Sequence, residues 1–128
     1  MASFGPQDDR SAYMEPILLV LTNAPDRETA RRLADGLIEA RLAACVSVFA
    51  ECTSVYRWKG AVESASEVPM LIKTRAALFS EVEAFIVGHH PYELPEVIAL
   101  PLHSGSAAYL EWLMQETRTE PPGGIGRS

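Results

Sequence analysis

The chain has 128 residues, of which 48% are hydrophobic and 22% are charged, and its formal net charge is −6. This size and composition are typical of a single soluble globular domain. No cluster of lysine and arginine is present, which argues against nucleic acid or an anionic membrane as a partner. The apolar runs are far shorter than the roughly 20 residues that cross a bilayer. The N-terminus does not resemble a secretory signal, so we expect a cytoplasmic protein.

The first third of the chain predicts a tail, a strand and a helix. Residues 1–14 have little periodic apolar content and are expected to be disordered. The nearly continuous apolar run over 17–22 predicts a strand that is buried on both faces. Asp26 is the predicted N-cap of the following helix. That helix should bury one face made of Ala30, Leu33, Ala34, Leu37 and Ile38.

The middle of the chain predicts a long β-hairpin with its turn at Lys59-Gly60. We expect a bulge near Ala50-Glu51. Cys45 and Cys52 would point to opposite faces of a regular strand, and only such a bulge could bring both thiols to one side. Pro69 also predicts an edge or a bulge, since proline donates no ladder hydrogen bond. The distal half of the hairpin has too little apolar surface to be stable alone, which predicts packing against another subunit.

The last part of the chain predicts two helices and a strand. Thr74 is the predicted N-cap of the second helix, whose pattern ends at Gly88. A strand over 97–102 follows, and then a last helix that Ser106 can cap and that runs to about residue 118. The buried stripe of the second helix should consist of Leu78, Val82, Phe85 and Ile86.

The order of these elements is β, α, β, β, α, β and α. It fits an α+β fold with a ferredoxin-like βαββαβ arrangement plus a C-terminal helix, and with both long helices on one face of the sheet. We expect a single domain over residues 15–118. The Pro-Pro-Gly-Gly segment within 119–128 predicts a disordered C-terminal tail.

The segment His89–Glu96 has the highest density of polar functional groups in the chain. Its two histidines could coordinate a divalent transition metal together with a nearby carboxylate. Adjacent side chains diverge, however, and no H-x-x-x-H or C-x-x-C spacing is present. The structural interpretation is that His90 bonds to neighbouring backbone while His89 lies at a helix end. The two prolines of the segment predict a rigid connection between that helix and the next strand.

Cys45 has three interpretations. Its neighbours in Ala43-Ala44-Cys45-Val46 are apolar, which is typical of a cysteine that acts as a small hydrophobe. Its thiolate would suit a soft metal such as Cu(I) if other ligands or subunits contributed. A nucleophilic cysteine would need an adjacent base, and the sequence shows none. No Ser-His-Asp order or phosphate-binding glycine loop is present either, so we expect a protein that is not an enzyme.

Tyr56 and Trp58 share one face of their strand, where they could form core, subunit interface or the wall of a pocket. The exposed hairpin favours an interface. Buried phenol and indole groups need hydrogen-bond partners, which makes a pocket reasonable as well. Lys73 ends the adjoining strand and is either solvated or paired with Glu93 or Glu96.

Several ordered motifs together resemble one known family, CutA, the divalent-cation tolerance proteins. The resemblance runs from about Ile17 to Trp112 and includes Tyr109-Leu110-Glu111-Trp112 in the last helix. The other motifs are Ala43-Ala44-Cys45-Val46, Thr53-Ser54-Val55-Tyr56-Arg57-Trp58-Lys59-Gly60, Glu67-Val68 with Ile72-Lys73-Thr74, and His90-Pro91-Tyr92-Glu93-Leu94-Pro95-Glu96-Val97-Ile98-Ala99-Leu100-Pro101.

This resemblance implies a ferredoxin-like protomer in a homotrimer, similar in architecture to PII signalling proteins, with a role in tolerance to metals such as copper. Cys45 matches a family cysteine implicated in copper contact, and His90 is the second candidate metal ligand. The residues that match an inter-subunit cleft are Tyr56, Trp58, Lys73, His90, Tyr92, Glu93 and Glu96. Thr22 stands where some members carry a further cysteine, so a multi-thiolate copper site within one subunit is not expected.

Two functions follow as expectations. The first is a non-enzymatic homotrimer that is involved in tolerance to divalent metal ions, requires no cofactor and binds copper or another divalent metal. The alternative is a PII-like regulatory module that binds a small anion or metabolite in a cleft between subunits. Lys73, Arg57 and the aromatic pair of the hairpin motivate this alternative.

Overall fold

The structure, a computed structural model, describes residues 16–119. The predicted tails, 1–14 and 119–128, lie outside this range except for Thr119. The strands are β1 (Ile17–Ala24), β2 (Cys45–Val48), β3 (Cys52–Trp58), β4 (Ala61–Arg75) and β5 (Ile98–Pro101), and the α-helices are α1 (Arg27–Glu39), α2 (Phe79–His89) and α3 (Ala107–Gln115). No helix in the described range is long and apolar enough to span a membrane.

The strands form an antiparallel sheet in the order β2-β4-β1-β5, and β3 continues the edge of β2 along the distal half of β4. The long strand β4 is therefore the organising element, because it pairs with three other strands. Its distal half and β3 make a two-stranded arm that extends beyond the rest of the sheet. The α+β class that the sequence predicts is confirmed.

The predicted bulge lies between β2 and β3. Val48 is opposite Met70 and Cys52 is opposite Glu67. The three residues between Val48 and Cys52 therefore face the two residues between Glu67 and Met70. One residue is therefore inserted, as expected near Ala50-Glu51. The insertion brings Cys45 and Cys52 to the same face, since their partners in β4 have the same parity. The thiols remain about 20 Å apart along the sheet, because six strand positions separate those partners.

The core lies between the sheet and the two long helices. Val20 and Ile72 supply the sheet side, and both are completely buried. Helix α1 contributes Leu37 and helix α2 contributes Val82 and Ile86 to the same cluster. Both helices therefore lie on one face, as the sequence predicts. The predicted buried face of α1 is wrong at Ile38, which is 42% exposed.

Two predicted helix caps are confirmed. The Asp26 carboxylate accepts a hydrogen bond from the Thr29 N–H at 2.7 Å, and the Ser106 hydroxyl accepts one from the Tyr109 N–H at 3.4 Å. The hydrogen bonds to Thr29 hold the pKa of Asp26 below its usual value. Each cap satisfies one of the free N–H groups in the first turn of its helix.

The predicted cap at Thr74 is wrong. Strand β4 continues through Arg75, and α2 begins at Phe79 after a short 3-10 turn over Ala76–Leu78. The Thr74 hydroxyl donates instead to the Leu42 carbonyl at 2.5 Å within the core. Tertiary pairing overrides the local signal here, because the neighbouring strand β1 keeps its register with β4 up to the pair Ile17 and Arg75.

The second face of the sheet carries neither long helix. Helix α3 covers it only at the C-terminal end of β4, where Lys73 and Arg75 bond to Tyr109 and Met114. Cys45 and Ser47 of β2 lie on this face as well. Its apolar part includes Leu19, Leu21, Leu71, Ile98 and Leu100. We call these five residues the open face. The last two of them are 52% and 53% exposed, so the open face presents apolar area that no other element within residues 16–119 covers.

Candidate functional site

A pocket of about 650 Å³ lies where the hairpin arm meets the segment after α2. Alternate residues of β3 and β4 point into it, because side chains on one strand face recur every second residue. The segment from Tyr92 to Glu96 forms the opposite wall. The lining residues are Asn23, Ser54, Val55, Tyr56, Trp58, Glu63, Ala65, Glu67, Tyr92, Glu93, Leu94 and Glu96.

His90 holds this wall against the sheet. Its Nε2 lies 2.6 Å from the Asn23 carbonyl oxygen, and its Nδ1 accepts a hydrogen bond from the Tyr92 N–H at 3.1 Å. This pattern assigns the ring hydrogen to Nε2, which then donates to the carbonyl. The Asn23 amide also donates to the Glu96 carboxylate at 2.9 Å. Both ends of the wall are thus tied to the end of β1.

Tyr92 and Glu67 connect the wall to the floor of the pocket. Glu67 is only 8% exposed although it is a carboxylate. Burial, followed by the hydrogen bond to Glu67 and the charge of that carboxylate, raises the pKa of Tyr92 from 10.0 to about 12. The phenol is therefore held in its protonated form, in which it can donate to the carboxylate and satisfy its buried charge.

The late ionisation of Tyr92 can be measured. The folded state retains the Tyr92 proton to a higher pH than the unfolded chain does. The contribution of this group to the free energy of unfolding is therefore complete below pH 10 and is lost as the pH rises towards 12. In a spectrophotometric titration we expect Tyr92→Phe to remove the last phenol transition of the folded protein. Glu67→Gln should move that transition to lower pH, since the neighbouring negative charge is removed. A last transition that is unchanged in both variants would contradict the contact.

The pocket is strongly acidic and aromatic. Four carboxylates line it, from Glu63, Glu67, Glu93 and Glu96, and among the described residues no lysine, arginine or histidine does. One cation, Lys59, lies at the rim. Its Nζ lies 3.6 Å from Glu93 Oε1 and 5.5 Å from the centroid of the Trp58 ring. The pocket is thus suited to a positively charged ligand.

The structure brings together five of the seven residues that the sequence predicts for a cleft, namely Tyr56, Trp58, Tyr92, Glu93 and Glu96. The hairpin of the same chain supplies the aromatic pair, so the pocket is formed within one chain. His90 lies behind the wall and braces it. Lys73 is elsewhere: its Nζ donates to the Tyr109 hydroxyl at 3.2 Å, and this contact takes the place of the pairing with Glu93 or Glu96 that was one of its two predicted alternatives.

The two predicted metal ligands, Cys45 and His90, are not neighbours within the chain. In the sheet register Cys45 pairs with Lys73, and Lys73 pairs with Leu19 of β1. His90 bonds to Asn23, which is four residues beyond Leu19 in the same strand. That offset is about 13 Å, and metal–ligand bonds are about 2 Å long. The described residues also contain no group of three or more His, Cys, Asp or Glu that could hold a metal ion.

Sequence reasoning missed several residues of the pocket, among them Glu63, Glu67 and Asn23. Glu63 and Glu67 belong to a polar stretch of β4 that looks solvated, and Asn23 directly follows the strand predicted over 17–22. A usable signal was present in the parity of β4, because Glu63 and Glu67 share the strand face that pairs with Tyr56 and Cys52. The position of Asn23 depends on the sheet order, which the sequence alone does not specify.

The chain matches the family model of the CutA1 divalent ion tolerance protein over residues 18–116. It is 41% identical over 110 residues to "Protein CutA, chloroplastic" from Arabidopsis thaliana and 40% identical over 113 residues to "Protein CutA" from Homo sapiens. These matches cover 86% and 88% of this chain but only 60% and 63% of the two relatives, so the chain spans about three fifths of their length.

Two solved structures confirm the architecture. CutA1 from Oryza sativa superposes with a TM-score of 0.81 at 40% identity, covering 83% of this chain and 97% of that one. The divalent cation tolerance protein from Thermus thermophilus gives 0.78 at 40% identity, with 80% and 99% coverage. The agreement of sequence and fold over nearly all of the described range shows that this chain belongs to the CutA1 divalent ion tolerance family.

Proposed function

We propose that this protein acts in divalent-cation tolerance as a cytoplasmic, non-enzymatic homotrimer that requires no cofactor. Membership of the divalent ion tolerance family supports the cellular role. The observation that carries the assembly is the open face, whose residues Ile98 and Leu100 are each more than half exposed. Apolar area of this kind on a sheet is suited to burial against other copies.

The assembly has a further basis in the strand order. The antiparallel order β5-β1-β4-β2, with both long helices on one face, supports the ferredoxin-like interpretation of the protomer. The arm of β3 and distal β4 carries mostly exposed residues and has an unpaired outer edge on β3 within the described chain. A trimer of the PII type would pair such edges between subunits and cover the open face at the same time.

For metal binding we retain Cys45 as the ligand for a soft ion such as Cu(I). The thiol is half-buried and lies on the same sheet face as the open-face residues, level with Lys73. Trimer contacts on that face could supply the further ligands that one chain lacks. His90 would join only by releasing the bond from the Tyr92 N–H to its Nδ1, which would free that lone pair.

Calorimetric titration with Cu(I), Cu(II) and Zn(II) tests the metal proposal. We expect Cys45→Ala to abolish the Cu(I) heat, because a thiolate is the preferred soft ligand. His90→Ala should leave most of that heat if the main role of the histidine is to hold the Tyr92 segment against the sheet. Titrations of the two variants and of wild type that are indistinguishable for all three ions would rule out direct binding through these residues.

The second candidate is the regulatory module, with a small ligand in the pocket between the hairpin and the Tyr92 segment. The specific observation that favours it is a concave site of about 650 Å³, within the size range of small-molecule pockets. An anion is disfavoured as that ligand, because the lining contributed by residues 16–119 has four carboxylates and no cationic side chain. A ligand-dependent change in thermal stability, screened with metabolites and with metals separately, distinguishes this candidate from the first.

A further inference from the structure

We propose that the acidic, aromatic pocket binds a small organic ammonium ion, either a protonated amine or a quaternary ammonium group. The inference rests on the second candidate function and specifies its ligand class. It follows from the combination of Tyr56, Trp58 and Tyr92 with the four carboxylates of the lining. Aromatic faces attract cations whose charge is spread over alkyl groups, and the carboxylates supply the opposite charge.

The four carboxylates are arranged for a bulky cation and not for a bare metal. Glu96 is held by the Asn23 amide, and Glu67 is held by the Tyr92 phenol. No three acidic, histidine or cysteine side chains of the described range converge as a metal site would require. Charge that is dispersed around a pocket of this size matches an ion whose positive charge is itself diffuse.

A second and independent observation is that an ammonium group of the chain already occupies the rim. The Lys59 Nζ lies 5.5 Å from the centroid of the Trp58 ring and 3.6 Å from Glu93 Oε1. An aromatic face and a carboxylate of the pocket therefore bind an alkylammonium within the molecule. Lys59 and Glu93 have side chains that are 68% and 73% exposed, so this pairing is weak and readily displaced.

The geometry of Lys59 makes it a competitor of the ligand. Lys59 and Gly60 form the hairpin turn with positive φ angles of 50° and 85°. Asn-Gly is the preferred pair for a two-residue turn with this backbone. Lys59→Asn thus removes the competing ammonium while it favours the existing turn, and Lys59→Arg is the matched variant that keeps the charge.

The test uses choline as the probe and 3,3-dimethylbutanol as its neutral isostere, in NMR titrations of the full chain that follow the indole N–H of Trp58. We expect choline to bind and the isostere to bind much more weakly. Lys59→Asn should tighten choline binding by about two- to fivefold, the effect of releasing one exposed cation–π and ion-pair contact. Lys59→Arg should leave the affinity close to that of wild type, and Glu93→Gln should weaken it.

Equal binding of choline and its isostere would overturn the proposal, as would a Lys59→Asn variant with unchanged or weaker affinity. Acetate that shifts the same indole resonance more strongly than choline would identify an anion site instead. Cys45→Ala separates this inference from the metal proposal, because the thiol does not line the pocket and choline binding should persist in that variant. Unchanged Cu(I) binding together with retained choline binding in that variant would therefore count against the metal proposal alone.

Discussion

Replacing Leu100 with glutamate is expected to convert the proposed trimer into monomers. Leu100 is 53% exposed on the open face of a single chain, so the isolated fold has room for a carboxylate there. In the assembly the same carboxylate would be buried without a partner in every subunit, at a cost of several kcal/mol per ion. Sedimentation velocity at micromolar concentration should then show a monomer, while circular dichroism shows an unchanged fold.

Val87→Glu is the matched control. Val87 is an apolar residue of α2 with almost the same exposure, 51%, but it lies on the helical side of the sheet. This variant should remain a trimer, because its carboxylate stays in water. A wild-type monomer under these conditions would contradict the proposed assembly, and a trimeric Leu100→Glu variant would show that the open face is not the interface.

Gly36→Leu is expected to destabilise the fold by about 3 kcal/mol, the upper end of the cost of overpacking a core. A Cβ atom at Gly36 would lie well inside van der Waals contact with the far end of the Phe85 ring. That ring packs against both buried clusters and stacks on His89 at a centroid distance of 4.2 Å. It therefore cannot move aside without loss of other contacts. Urea denaturation measures the change in the free energy of unfolding.

Gly88→Leu provides the control within the other helix. A Cβ at Gly88 meets no heavy atom within 4 Å, so this variant should change the free energy of unfolding by less than about 0.5 kcal/mol. The double variant Gly36→Leu, Phe85→Ala should be less destabilised than the sum of its single variants, because the clash and the ring are removed together. Strict additivity would show that the close approach of the two helices is not the cause.

Local sequence signals predicted the elements whose causes are local. Asp26 and Ser106 are caps because a short oxygen-bearing side chain placed before an apolar-periodic run can accept from the first free N–H groups. The bulge that the sequence predicts near Ala50-Glu51 is confirmed by the shifted register on the two sides of that point. Such features require no knowledge of distant contacts.

Signals that compete with tertiary pairing were misread. Thr74 has the residue type of a helix cap, but the register of β1 along β4 keeps it in a strand. Ile38 fits the buried stripe by spacing and is nevertheless 42% exposed at the end of α1. The helical period decides which side of a helix a residue occupies, whereas the extent of the neighbouring sheet decides how far along that side burial continues.

For the candidate site, the sequence by itself determined the chemical character: the aromatic pair of the hairpin and the carboxylates after His90. Only the tertiary structure decided which of these groups meet. It joined Tyr56 and Trp58 to Tyr92, added Glu63 and Glu67, and left Cys45 and Lys73 outside. The physical reason is that residue types and strand parity depend only on the local sequence. The meeting of groups dozens of residues apart depends on sheet order and register, which are set by the packing of the whole chain.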